Sequence, residues 1–223
     1  MADSVAKVRQ QIGQIRRLKK DRAERRAQRK AKRAAPSPDV ILKLGTLDLV
    51  PVLFASRHYE RPDHLAPMVD VLEQSWVRPT RATCHAPPQH GKSDTAAAFV
   101  VATLKRFPGK RIAYVTHSAK LARRKGGRMR KLARAAGVQL TRDTTAKDEW
   151  ETPEGGGLIC IGIEQGLTGQ PVDILLIDDP YPNRKKARSK AYQRMVVEFW
   201  GDVAETRVQP DGSIFVWHTR WLV

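Results

Sequence analysis

Residues 86 to 93 read Ala-Pro-Pro-Gln-His-Gly-Lys-Ser. This is the phosphate-loop pattern G-x-x-x-x-G-K-[ST] with alanine at the first glycine. A strand-like run, 81–85, precedes it, and a helix-like run, 95–104, follows it. That placement restricts the fold more than the letters do. A loop between a strand and a helix start aims backbone N–H groups and the positive end of the helix dipole at an anion. The expected nucleotide-binding residues are Ala86, Pro87, Pro88, Gln89, His90, Gly91, Lys92, Ser93 and Asp94. Lys92 would reach the β- and γ-phosphates, and the Ser93 hydroxyl would hold Mg²⁺. His85 and His90 flank the loop and read as packing or hydrogen-bonding residues, with His90 shaping the turn ahead of Gly91.

Downstream the pattern alternates. The helix stops at Pro108-Gly109, and a strand over 111–116 leads to Ser118, an N-cap candidate. A basic helix then closes at Gly137, with Gly126-Gly127 expected to weaken its middle. Short strands are expected at 158–161, 173–177 and 214–217. Tyr192, Met195, Val196, Phe199, Trp200 and Val203 recur at helical spacing, which predicts an amphipathic helix over 189–207. Trp200 and Trp217 read as core, whereas Trp76 and Trp150 have no assignment. Residues 39–80 look mostly helical. Strands alternating with helices argue for a mostly parallel α/β sheet covered on both faces.

Ile174-Leu175-Leu176-Ile177-Asp178-Asp179 carries the second signal. Four apolar residues suit a strand buried on both faces. Two acids then leave its C-terminal end, where open α/β sheets bind ligands. Beside a phosphate loop, Asp178 reads as a metal ligand with Ser93, and Asp179 as the group that orients attacking water. The alternative for the pair, taken alone, is to cap the turn that Pro180 begins.

The chain has 223 residues and a formal net charge of +18. Such an excess expects an anionic partner: nucleic acid, an acidic membrane surface or an acidic protein. No apolar run of about 18 residues is present, so no bilayer-spanning helix is expected. Residues 1–35 hold 13 Lys/Arg against three acids, more than half of the net charge. There Val5, Val8, Ile12, Ile15 and Leu18 form a short helical stripe, too brief to define a coiled coil. This arm is read as a solvated tail or as a segment contacting DNA or a partner subunit, with 35–38 as its linker. The domain division is therefore 1–38, arm and linker, and 39–223, ATPase domain. Cys84 and Cys160 lie in strand-like runs and read as small buried hydrophobes rather than a disulfide or metal pair.

Three segments in order resemble the large terminase subunits of tailed bacteriophages. They are Pro87-Pro88-Gln89-His90-Gly91-Lys92-Ser93, Leu176-Ile177-Asp178-Asp179-Pro180 and His218-Thr219-Arg220-Trp221. The resemblance covers roughly 58–221. It implies a RecA-like, additional-strand ATPase core that uses ATP and Mg²⁺. Lys92 and Asp179 would then be catalytic, and Thr219 would couple hydrolysis to movement. It also implies double-stranded DNA, a portal protein and a small terminase subunit as partners, a homo-oligomeric ring, and the cytoplasm of a bacterial host. The family's nuclease would lie beyond Val223, so no DNA cleavage is expected from residues 1–223. Gln89 and Gln170 stand where relatives often carry arginine. Arg123, Arg124 and Arg128 are then candidates, by charge alone, for stabilising transition-state charge. Arg57, Tyr59 and Arg61 lie where relatives contact adenine. Two rival readings remain open. One is a helicase-like nucleic-acid ATPase; the other is a DNA- or portal-binding adaptor with a vestigial nucleotide site.

Overall fold

Apolar residues fill both faces of the central strands, and helices cover both. The structure, a computed structural model, describes residues 44–54, 60–142, 146–167, 169 and 171–220. The basic arm and its linker, Arg57, Tyr59, Gln170 and Trp221 lie outside the described residues.

The described elements are α1 (Thr46–Leu53), a 3₁₀ turn (Asp63–Leu65), α2 (Ala66–Gln74), β1 (Arg81–His85), α3 (Lys92–Arg106), β2 (Arg111–Thr116) and α4 (Ala119–Ala135). There follow β3 (Glu149–Glu151), β4 (Gly157–Gly162), β5 (Val172–Asp178), α5 (Arg184–Arg188), α6 (Lys190–Phe199), a π turn (Trp200–Ala204), α7 (Glu205–Arg207) and β6 (Val208–His218). The sheet order is β1-β6-β5-β2-β4-β3. Every pairing is parallel except β3 with β4. β6 thus stands between the phosphate-loop strand β1 and the acidic strand β5, which is the additional-strand arrangement.

Side chains alternate between faces along a strand. Ile112 and Tyr114 of β2, Ile174 and Leu176 of β5, and Phe215 and Trp217 of β6 share a core with α1, α2, α3 and α4. Ala113, Val115, Leu175, Ile177 and Ile214 face the other way, against Phe199, Val203 and Ala204. The same alternation sends Asp178, two residues past Leu176, to the face of α3. α3 is alanine-rich and buried from Thr95 to Leu104, so its small side chains let it lie against both the sheet and α1. Lys105 and Arg106 close it, where cations suit the helix C-terminus.

Several elements depart from expectation. α3 begins at Lys92, so Lys92, Ser93 and Asp94 form its first turn. α4 runs unbroken through Gly126-Gly127. Its packing explains why: a Cβ on Gly126 would lie 2.7 Å from the Lys147 carbonyl oxygen and 3.0 Å from Cys160 Sγ. Glycine there allows a close approach rather than weakening the helix. The helix expected over 189–207 is real but interrupted by the π turn, and Trp200 is 37% exposed rather than core. The antiparallel edge strand β3 was not anticipated. Its Trp150 is 0% exposed and donates from Nε1 to the Gly126 carbonyl at 3.3 Å. Both cysteines are free, with Cys160 buried and Cys84 half-buried. Among the described residues, no helix is long and apolar enough to cross a membrane.

Candidate nucleotide site

Three segments converge at the C-terminal end of the sheet: the loop after β1, the end of β5 and the end of β6. Pro88, Gln89, Gly91, Lys92, Ser93, Asp94 and Asp179 line an open cleft of about 540 Å³. Gly91, the N-cap of α3, has φ +85°, a left-handed conformation that glycine adopts without steric cost. Gln89 (φ 63°) and Asp179 (φ 48°) are the described non-glycine residues with positive φ, and both line this cleft. Backbone in sparsely populated regions costs of order 1–3 kcal/mol and gathers at functional sites. Pro87 and Pro88 have no N–H, so any anion cradle falls to the residues from Gln89 to Ser93. The loop is braced from outside: His90 donates from Nδ1 to the Pro88 carbonyl at 2.8 Å, and His64 donates from Nε2 to the His90 carbonyl at 3.0 Å.

Lys92 is buried, and its ammonium donates to the carbonyls of Ala86 (2.5 Å) and Pro87 (3.0 Å) and to Thr219 Oγ1 (3.3 Å). Thr219 in turn donates to Asp179 Oδ1 from its backbone N–H (2.9 Å) and its hydroxyl (3.2 Å). The Asp179 N–H donates to the Trp217 carbonyl at 2.8 Å, which ties the end of β5 to β6. Lys92, Thr219 and Asp179 are therefore one hydrogen-bonded chain.

Ser93 Oγ donates to Asp178 Oδ2 at 2.7 Å. The buried Tyr114 hydroxyl donates to the same oxygen. Burial, then the negative charge of Asp178, holds the Tyr114 phenol well above its ordinary range, so it stays a donor. Asp178 Oδ1 is buried with no hydrogen-bond partner. An orphaned carboxylate oxygen beside a hydroxyl suits a hard divalent cation. Among the described residues no group of three or more His, Cys, Asp or Glu forms an all-protein metal cage. Mg²⁺ does not need one, because it binds through one or two protein oxygens plus substrate phosphates. The residues present fit that ion.

Other expected residues fare differently. Asp94 lines the cleft but pairs with Arg128 at 2.7 Å, and Arg128 also lies over the Phe54 ring at 4.4 Å. Arg128 is thus committed to structure, while Arg123 and Arg124 are exposed on α4. Arg61 is held by Asp48 and Asp63, each at 2.7 Å. His85 packs edge-on to His218 with centroids 4.1 Å apart. Desolvation first, then the charges of His218 and Arg220, lowers its pKa.

Sequence reasoning missed Lys125. Its ammonium lies 2.6 Å from Ser93 Oγ and 2.5 Å from Asp178 Oδ2. A signal was present, since Lys125 falls between Ala122 and Met129 on the inward stripe of α4, an unusual place for a cation.

This topology and site define an additional-strand P-loop fold of the RecA-like class. Residues 83–222 match the family described as terminase large subunit, T4likevirus-type, N-terminal, and the chain belongs to that family. No curated protein matches the chain in sequence. Among solved structures, the HK97 bacteriophage large terminase aligns with a TM-score of 0.50 at 12% identity, covering 68% of this chain and 32% of that one. The Thermus phage P74-26 large terminase ATPase domain aligns at 0.37 and 16% identity, covering 61% of this chain and 58% of that one. Yeast (S. cerevisiae) dbp5 bound to gle1 and ip6 aligns at 0.49 and 11% identity, covering 83% and 47%. The chain therefore spans about a third of the HK97 protein.

Proposed function

We propose that this chain is the ATPase motor domain of a viral DNA-packaging machine. It hydrolyses ATP with Mg²⁺ and couples each turnover to the movement of double-stranded DNA into a procapsid. The observation that carries this reading is the contact between Ser93 Oγ and Asp178 Oδ2 at 2.7 Å. It joins the phosphate loop to an acid 85 residues later in sequence. The family membership supplies the DNA-packaging context. The partners are duplex DNA, a portal protein, a small terminase subunit and further copies of the chain in a ring. The domain runs from residue 39 to 223, with the arm at 1–38.

Each residue has a distinct task. N–H groups from Gln89 to Ser93 and the α3 dipole hold the phosphates. The Lys92 ammonium exchanges its carbonyl partners for β- and γ-phosphate oxygens and offsets their charge. Ser93 and Asp178 would hold Mg²⁺, which supplies electrophilic stabilisation of the transferring phosphoryl group. Asp179 orients a water in line with the γ-phosphorus and accepts its proton as the bond to the β–γ bridging oxygen breaks. Thr219 bonds both Lys92 and Asp179, so a change at either reaches the end of β6.

The test is ATP turnover by the purified chain, with Mg²⁺ or with EDTA, and with or without duplex DNA and portal. Metal-dependent turnover raised by DNA or portal is expected. Tight Mg·ATP binding without turnover under every condition would favour the adaptor reading. No nucleotide binding at all would end this one.

A further inference from the structure

Asp178 is a carboxylate with 0% side-chain exposure. A charge so buried needs a partner. Lys125 supplies it: the ammonium donates to Asp178 Oδ2 at 2.5 Å and to Ser93 Oγ at 2.6 Å, with the Tyr114 hydroxyl 3.4 Å away. The Ser93 hydroxyl and the Asp178 carboxylate, whose Oδ1 is unpartnered, are also the groups that would hold a divalent cation. An ammonium and a metal ion cannot both bind this one hydroxyl and the single carboxylate beside it, for reasons of space and of like charge. Lys125 also has somewhere to go. Its side chain is 21% exposed, and its stem is a flexible run of methylenes. Ser93 itself lines the cleft in which the phosphates would lie.

We propose that Lys125 is a transferable cation of this site. Without nucleotide it occupies the metal position and neutralises Asp178. When Mg·ATP enters, it yields that position and moves to the terminal phosphates, adding a second lysine beside Lys92. The proposal rests on the nucleotide-site reading above. It makes Lys125 a competitor of the free metal and an ally of the nucleotide, two effects of opposite sign. A lysine that only braces the fold would move both measurements together, or neither.

The experiment compares the full chain with Lys125→Met and Lys125→Arg. Mn²⁺ binding without nucleotide is followed by paramagnetic resonance, and binding of a fluorescent ATP analogue is followed in EDTA. Thermal melting checks folding, and Lys125→Gln is read in the same way if the methionine variant melts early. In Lys125→Met, Mn²⁺ should bind several-fold tighter. The metal-free analogue should bind about tenfold weaker, the loss expected for one charge-assisted hydrogen bond. Lys125→Arg should keep the metal-free analogue affinity within about threefold of wild type, because the charge is retained. Parallel weakening of both ligands, or no change in either, overturns the proposal while leaving the nucleotide site intact. If the wild-type chain binds no analogue even with Mg²⁺, the nucleotide-site reading and this proposal fall together.

Discussion

Lys92 and the two aspartates at the end of β5 are held by different neighbours, and the differences assign them different tasks. Lys92 donates only to oxygens: two carbonyls of its own loop and the Thr219 hydroxyl. Phosphate oxygens are stronger acceptors, so the ammonium is pre-placed for them. Lys92→Ala should lower ATP affinity by about tenfold to 150-fold, roughly 1.5–3 kcal/mol, with the melting temperature little changed. Isothermal titration beside a thermal melt measures both. Asp178 looks inward to Ser93, Tyr114 and Lys125, whereas Asp179 looks across to Thr219. Asp179→Asn keeps an acceptor for Thr219 but cannot take a proton from water. It should therefore bind Mg·ATP normally and lose hydrolysis by about 10²–10⁴-fold. Asp178→Asn removes the charge facing the metal and should raise the Mg²⁺ concentration needed for half-maximal turnover. Single-turnover assays over a Mg²⁺ series separate the two variants; exchanged phenotypes would exchange the roles.

At the scale of elements, α4 carries a sharp contrast between adjacent glycines. Gly126 faces β4, with the Lys147 backbone where a Cβ would go, while the nearest neighbours of Gly127 are atoms of the flexible Lys147 side chain at 3.4 Å and beyond. Gly126→Val should destabilise by about 1–3 kcal/mol through overpacking. Gly127→Ala should be neutral or stabilise by up to about 1 kcal/mol through helix propensity. Denaturant melts of both variants test this, and equal losses would mean that the helix, not its packing, limits stability. The contrast also marks what the sequence could convey. Strand–loop–helix order, the buried run before Asp178 and the stripe on α6 are local patterns, and all three were legible. β3 was not, because Glu149-Trp150-Glu151 is too short to display a period and its pairing with β4 is a tertiary event. Pairing also lengthened β6 to Val208–His218 from an expected core of four residues, since β1 and β5 flank it on either side. Lys125 escaped for the same reason. Lys125 and Asp178 are 53 residues apart, and they meet only because α4 packs on β2 and β4 while β5 pairs beside β2. Lys92 and Ser93 could be singled out because one loop geometry requires them as neighbours, whereas nothing local requires Lys125.

Across the whole molecule the charge is uneven. The arm at 1–35 contributes ten of the eighteen net positive charges, since 13 basic residues stand against three acids. Lysines and arginines that neutralise phosphates add affinity without base preference. They also make binding salt-dependent, because each neutralised phosphate releases counterions and adds about 0.9 to the log–log slope on duplex DNA. Deleting residues 1–35 should therefore flatten that slope by several units and weaken binding equally on unrelated sequences. DNA-free ATP turnover should stay nearly unchanged, because Lys92, Ser93, Asp178, Asp179 and Thr219 all lie in the core. If the arm instead docks another protein of the packaging machine, its deletion would leave the slope intact and abolish assembly with that partner. Titrating full-length and arm-deleted protein onto labelled duplex at several salt concentrations distinguishes the two, and an unchanged slope rules out DNA contact by the arm. The eight net charges left on residues 36–223 would then carry DNA binding by themselves. In that case Arg123, Arg124, Lys131 and Arg134, on the exposed side of α4, are the first positions to neutralise.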